Sequence, residues 1–194
     1  MKFVHITDPH IVPAPRMLCA LDPRARLEAA IGDINRHHTD AAFAVFTGDL
    51  AYLGEQDAYE DLRKLLDTLV IPYHLLVGNH DDRTNFKRVF PETPADESGF
   101  IQYVIETEAG AFVMVDTMET EAPEGVYCDL RFAWLERQLQ TLTGHPVYLF
   151  LHHPPFDIGI RSLDESRLPD PDRLAQLIDA HGDVRYLFYG HVHR

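Results

Sequence analysis

A chain of 194 residues, 45 % hydrophobic and 25 % charged, is long enough for one sizeable core and ordinary for a soluble globular domain. The balance of 17 basic against 31 acidic residues gives a net charge of −14, which argues against a dedicated nucleic-acid binder, because phosphate backbones demand a basic footprint. Cys19 and Cys128 have no ligand spacing, no apolar run reaches membrane-spanning length, and MKFVHITDPH enters a strand without a signal-peptide core, so a reducing cytoplasmic setting is expected in preference to a disulfide scaffold.

The first half alternates strands and helices. FVHIT reads as a buried strand that delivers Asp8 and His10 at its end. Asp22-Pro23 supplies an N-cap and a proline at the first helical position, and Leu27, Ala30, Ile31 and Ile34 recur at helical spacing as far as His38. Strand Ala42–Phe46 runs into Gly48-Asp49. A second helix starts near Glu55, with Tyr59, Leu62, Leu65, Leu66 and Leu69 on one face, and strand Tyr73–Val77 ends in Gly78-Asn79-His80-Asp81. This β-α-β-α-β order predicts a parallel sheet with right-handed crossovers, whose ligands gather beyond the carboxyl ends of the strands.

A short helix around Asn85–Phe90 and the polar segment Pro91–Gly99 separate the halves. Phe100–Glu106 and Ala111–Val115 predict an antiparallel hairpin, Leu130–Leu142 a helix, and Val147–Leu151 a strand ending in His152-His153. The long loop Pro154–Pro171, which carries Asp157 and Arg161, is expected to serve the site. Asp172–His181 reads as a helix, and the run from Val184 to Arg194 as a strand closing on Gly190-His191-Val192-His193.

Five strand ends thus deliver oxygen or nitrogen donors. A glycine ahead of Asn79-His80-Asp81 lets the backbone turn sharply and projects an amide oxygen and an imidazole together. Each motif alone has an ordinary reading as a turn, an N-cap or a solvated end. Together they give seven candidate ligands, Asp8, His10, Asp49, Asn79, His152, His191 and His193, too many for one tetrahedral zinc and enough for two metals sharing a carboxylate. Imidazole, carboxylate and amide without thiolate suit iron, manganese, cobalt or zinc. His153 and Asp81 read as groups that orient ligands or close turns, Asp116 as a loop cap, and Arg161 as solvated or phosphate-facing. His5, His37, His38, His74, His145 and His181 read as structural or surface residues.

The series DPH, GD, GNHD, HH and GHVH, in that order, resembles the calcineurin-like metallophosphoesterase superfamily over nearly the whole chain. HITDPH, GNHDD and LHHPP most resemble its bacterial cyclic-nucleotide and glycerophosphodiester phosphodiesterase branch. The resemblance implies a single catalytic domain over residues 1–194 and an α/β fold, a four-layer αββα sandwich of two mixed sheets flanked by helices. It also implies two divalent or trivalent ions, one held by Asp8, His10, Asp49 and His193 and the other by Asp49, Asn79, His152 and His191, with Asp49 bridging. The implied substrate is a small phosphodiester, a cyclic nucleotide or a glycerophosphodiester, attacked by a metal-bridging hydroxide between cations roughly 3.5–4 Å apart. His80 is the implied non-ligand catalytic group, touching the phosphate or protonating the leaving oxygen.

Two departures qualify the resemblance. Protein Ser/Thr phosphatases carry an aspartate and an arginine three and four positions after the bridging aspartate, where this chain has Tyr52 and Leu53, which argues against that activity. Relatives usually continue for several strands past the last histidine, so the second sheet is expected to be incomplete. Either the sequence is a fragment or a partner chain, as in a homo-oligomer, supplies the covering strands, and the second metal is expected to bind weakly. The alternatives are a phosphomonoesterase or nuclease of the same superfamily, or a non-catalytic scaffold that binds a protein. The loops Ile11–Leu21 and Phe156–Pro169 are expected to choose the diester.

Overall fold

The structure, a computed structural model, describes residues 1–120 and 122–193; Arg194, the last residue of the closing run, lies outside them. Its elements follow the order β1 (Val4–Ile6), α1 (Pro23–His37), β2 (Ala44–Thr47), α2 (Gln56–Leu66), β3 (Tyr73–Leu76), α3 (Arg83–Val89), β4 (Tyr103–Thr107), β5 (Gly110–Met114), α4 (Asp129–Thr141), β6 (Val147–Phe150), α5 (Arg161–Asp164), α6 (Pro171–His181) and β7 (Val184–Phe188). Asp22 caps α1 by accepting from Arg24 N at 3.0 Å, with Pro23 in the first turn as expected. The one addition is α5, a single turn inside the loop that reads as irregular in the sequence.

Two sheets form. One has the order β1-β2-β3 and the other β4-β5-β6-β7. The first holds only parallel pairs, with Val4 opposite Ala44 and Ala44 opposite Tyr73, because each connection is a helical crossover. The second is mixed: the β4–β5 hairpin is antiparallel, while β5–β6 and β6–β7 are parallel.

Side-chain alternation along β5 divides the core into layers. Phe112 and Met114 join a cluster that contains β2 and β3, with Leu27 and Ile31 of α1 and Leu62 and Leu66 of α2. Ala111, Val113 and Val115 point the other way, into a second cluster with Trp134, Leu135 and Leu139 of α4 and Leu174 of α6. The layers are therefore helix, sheet, sheet, helix. Between the sheets Phe112 stacks on Phe150 at 5.3 Å and Phe150 on Phe188 at 4.7 Å, and Phe3 meets all three edge-on. Each fully buried aromatic contributes about 1.5–3 kcal/mol. This packing fixes the carboxyl ends of both sheets beside one another.

Candidate metal centre

The strand ends of both sheets meet in one crevice. Pairing continues past the strands: Asp8 N donates to Gly48 O at 3.2 Å, His10 N to Asp49 O at 2.9 Å, and Gly190 N to His152 O at 3.0 Å. Two contacts clip the sheets together, His152 Nδ1 to the Thr47 carbonyl at 2.8 Å and His191 N to Asp8 Oδ1 at 3.1 Å. Asp8, His10, Asp49, His191 and His193 all adopt φ between 45° and 67°, a left-handed region that side-chain-bearing residues avoid at a cost of about 1–3 kcal/mol each. The strained turns after β1, β2 and β7 carry these side chains into the crevice. Gly78 has no room for a Cβ, which would lie 2.5 Å from Asp49 N and 2.8 Å from His152 Cδ2.

Asp8, His10, Asp49 and His193 offer donor atoms that all lie within 4.8 Å of one another. His10 Nε2 is 2.9 Å from His193 Nε2, which is 3.2 Å from Asp8 Oδ1, and His10 Nε2 is 3.5 Å from Asp49 Oδ2. A second group brings His152, His153 and His191 together. Asn79 Oδ1 joins it, 3.1 Å from His152 Nε2 and 3.0 Å from His191 Nδ1, and Asp49 Oδ1 is 3.3 Å from His152 Nε2. Asp49 therefore turns one oxygen to each group. His153 is an addition to the set read from the sequence; its Nδ1 lies 2.8 Å from Thr117 Oγ1. His193 is the outermost donor, its side chain 57 % exposed.

The charges suit cations. Asp8 and Asp49 make ion pairs only with histidines among the described residues. Burial alone would raise the Asp49 carboxyl, but the charge and hydrogen bond of His152, with His10 and the His80 amide, hold it well below the usual carboxylate range. Burial likewise opposes protonation of His152, yet Asp49 outweighs it and pushes the imidazole up to about 9. Burial, opposed by the nearby carboxylates, lowers His10 to about 4; burial and the neighbouring His152 charge do the same for His191. Burial thus favours the neutral form of His10 and His191 that a metal needs, whereas His152 would have to release the proton that Asp49 stabilises. The donor set thus fits metal ions.

Around these donors stand groups that hold them. Asp81, buried, accepts from Leu50 N at 3.1 Å, Ala51 N at 3.0 Å, Gly78 N at 2.8 Å and the Tyr59 hydroxyl at 2.9 Å, so it ties the backbone after Asp49 to the turn before Asn79. Burial, then the Asp49 charge, push its carboxyl up to about 6. His80 donates its backbone N–H to Asp49 Oδ1 at 2.9 Å, and its Nδ1 lies 2.7 Å from the Tyr52 carbonyl. Asp116 caps Met118 N as the sequence suggests, and it also accepts a bidentate pair from Arg83 at 2.8 Å. Arg161 lies outside the site, its side chain 94 % exposed beside Glu165. Sequence reasoning missed Thr7, which donates to Asp8 Oδ2 at 2.5 Å, and Thr47; a hydroxyl residue immediately ahead of, or two before, each aspartate was the available signal.

An open cavity of about 950 Å³ leads from His10, His80 and His193 past Tyr52 and Tyr189. Leu18, Cys19 and Leu21 of the first loop line it, whereas no described residue of the loop Phe156–Pro169 does. That second loop meets the candidate donors through Ser166, whose Oγ lies 3.1 Å from His191 Nε2.

A sandwich of two sheets between helices, with carboxylate, imidazole and amide donors gathered at the strand ends, is the architecture of a metal-binding phosphoesterase. The sequence profile of the calcineurin-like phosphoesterase family matches residues 1–194, and the chain belongs to that family. It is 46 % identical, over its whole length and 72 % of the relative, to a probable cyclic nucleotide phosphodiesterase of Rhodopseudomonas palustris. Over the same shares it is 32 % identical to a probable glycerophosphodiester phosphodiesterase, GpdQ, of Arcobacter nitrofigilis. The purple acid phosphatase PPD1 of yellow lupin superposes with a TM-score of 0.68 at 15 % identity, over 98 % of this chain and 37 % of that one, and shares the fold.

Proposed function

We propose that residues 1–194 form one catalytic domain that hydrolyses small phosphodiesters, with Asp8, His10, Asp49 and His193 holding one metal ion and Asp49, Asn79, His152 and His191 the other. The observation that carries this reading is the division of the Asp49 carboxylate, Oδ2 toward His10 at 3.5 Å and Oδ1 toward His152 at 3.3 Å. Bound iron, manganese, cobalt or zinc would supply Lewis-acid charge neutralisation and a nucleophile at neutral pH. The chain's own residues do the rest. Asp81, through its four bonds, keeps Asp49 and Asn79 in place. His80, with Nδ1 committed to the Tyr52 carbonyl, keeps Nε2 for the phosphate or for protonating the departing oxygen, a role worth about 10²–10⁴-fold. The similarity to a probable cyclic nucleotide phosphodiesterase and to GpdQ supports a diester over a monoester, and the charge of −14 disfavours polymeric nucleic acid. Both cysteines are free, in keeping with a cytoplasmic setting, and no helix among the described residues is long and apolar enough to cross a membrane.

The test pairs metal analysis with hydrolysis of a diester and a monoester of the same chromogenic alcohol. Faster, metal-dependent turnover of the diester is expected. Faster turnover of the monoester would replace the reading with a phosphomonoesterase, and no turnover with any of the four metals would replace it with a scaffold.

A further inference from the structure

A metal-binding imidazole is aimed by whatever holds its second nitrogen, and the partner also selects which nitrogen keeps the proton. His152 is held in this way by main chain, through Nδ1 and the Thr47 carbonyl at 2.8 Å. His191 is held differently. Its Nδ1 lies 3.0 Å from Asn79 Oδ1, inside the second donor group, and its Nε2 lies 3.1 Å from Ser166 Oγ.

Ser166 belongs to the loop that follows β6, directly after α5. The loop is pinned where it passes the site: Ser166 N donates to Leu163 O at 3.1 Å, Gly125 N donates to Ser166 O at 3.4 Å, and Leu168 N donates to Pro154 O at 3.0 Å. The Ser166 hydroxyl donates to the Leu163 carbonyl at 3.4 Å. The hydroxyl oxygen lies 3.1 Å from His191 Nε2, placed to accept from Nε2–H. That tautomer leaves the Nδ1 lone pair 3.0 Å from Asn79 Oδ1, two acceptors that a bound cation would satisfy.

We propose that Ser166 is a positioning residue for the second metal site, fixing the ring orientation and the Nε2–H tautomer of His191 through its hydroxyl. The proposal rests on the metal reading given above and adds to it a specific role for the loop after β6, that of holding a ligand. It also couples the loop to metal affinity: whatever moves Ser166 moves a ligand.

The test is calorimetric titration of the metal-stripped chain with Mn²⁺, for the parent, Ser166→Ala and Ser166→Thr, together with the His191 tautomer read from long-range ¹H–¹⁵N correlation. The parent is expected to bind two ions. Ser166→Ala should weaken one binding event by about 10–100-fold, the usual effect of losing such a partner, and leave the other unchanged. Its His191 should lose the single Nε2–H tautomer, and Ser166→Thr, which keeps the hydroxyl, should restore both. Two ions bound by Ser166→Ala at parental affinity with the tautomer kept would overturn the role of Ser166 while leaving the metal reading intact. Equal weakening of both events would overturn it in favour of general loosening. A parent that binds fewer than two ions would overturn the metal reading, and this proposal with it.

Discussion

Replacing Asp116 by alanine should be among the most damaging single changes in the chain, although Asp116 touches no proposed ligand. Its carboxylate is wholly buried and accepts four hydrogen bonds, from Arg83 Nε and Nη2, from Ile101 N, all at 2.8 Å, and from Met118 N at 3.0 Å. Arg131, also wholly buried, lies 3.8 Å away. Both guanidinium groups pack over the Phe100 ring, at 5.1 and 4.4 Å. Removing the carboxylate from a buried pair costs about 3–5 kcal/mol, because the cations stay behind without it. The two stranded amides add about 1–3 kcal/mol each, only partly, since water can enter on the side where the Arg83 side chain is 19 % exposed. A net loss of about 4–6 kcal/mol follows, a large share of the roughly 5–15 kcal/mol typical of a domain. Glu92→Ala is the control. It also takes a carboxylate from an arginine, Arg63, but the side chains are 35 % and 53 % exposed, so it should cost less than about 1 kcal/mol. Urea unfolding followed by the fluorescence of the single tryptophan, Trp134, reads both variants. An Asp116→Ala loss no larger than that of Glu92→Ala would refute the reasoning.

His80→Ala should retain two metal ions and lose about 10²–10⁴-fold in turnover on diesters with a poor leaving group, with little loss on an activated one; metal loss in this variant would make His80 structural instead. Gly190→Ala should weaken metal binding, because the added Cβ would fall onto Thr7 Oγ1 and 2.7 Å from Asp8 Oδ2, and Thr7→Ala in the same chain should restore part of the affinity. His74, which meets the Phe43 ring edge-on at 5.1 Å, has its pKa lowered by burial from 6.5. Its contribution is therefore present above about pH 6.5 and is lost as pH falls. In chelator, His74→Phe should show a smaller drop in urea midpoint between pH 8 and pH 5.5 than the parent, and an equal drop would count against burial as the cause.

Element types in the two halves were legible because hydrophobic period and punctuation agreed: Asp22-Pro23 starts α1, and the run Val147–Leu151 can only be a buried strand. The division into two sheets was not visible in the residues themselves. Val45 and Leu149 look alike as strand residues, and which sheet each joins is decided by aromatic packing between layers, Phe3 against Phe112, Phe150 and Phe188. The gathering of the seven candidate donors was legible from their places after apolar runs, since strand ends are where a parallel sheet exposes side chains. Their supports were less so. Asp81 could be read as an orienting group because it adjoins Asn79-His80, whereas Arg83 and Asp116 are 33 residues apart and meet only in the fold. Ser166 sits in a loop without periodicity, and nothing in its neighbours marks it. Which of the two loops lines the cavity could not be read either, because that depends on where each loop runs in the fold.

The measurement closest to the central claim is metal titration of the parent chain beside Asp49→Ala, His10→Ala and His191→Ala. Asp49 serving both donor groups predicts two ions for the parent, one weakened event in each histidine variant, and both events weakened in Asp49→Ala. An Asp49→Ala chain that still binds one ion at parental affinity would contradict the account.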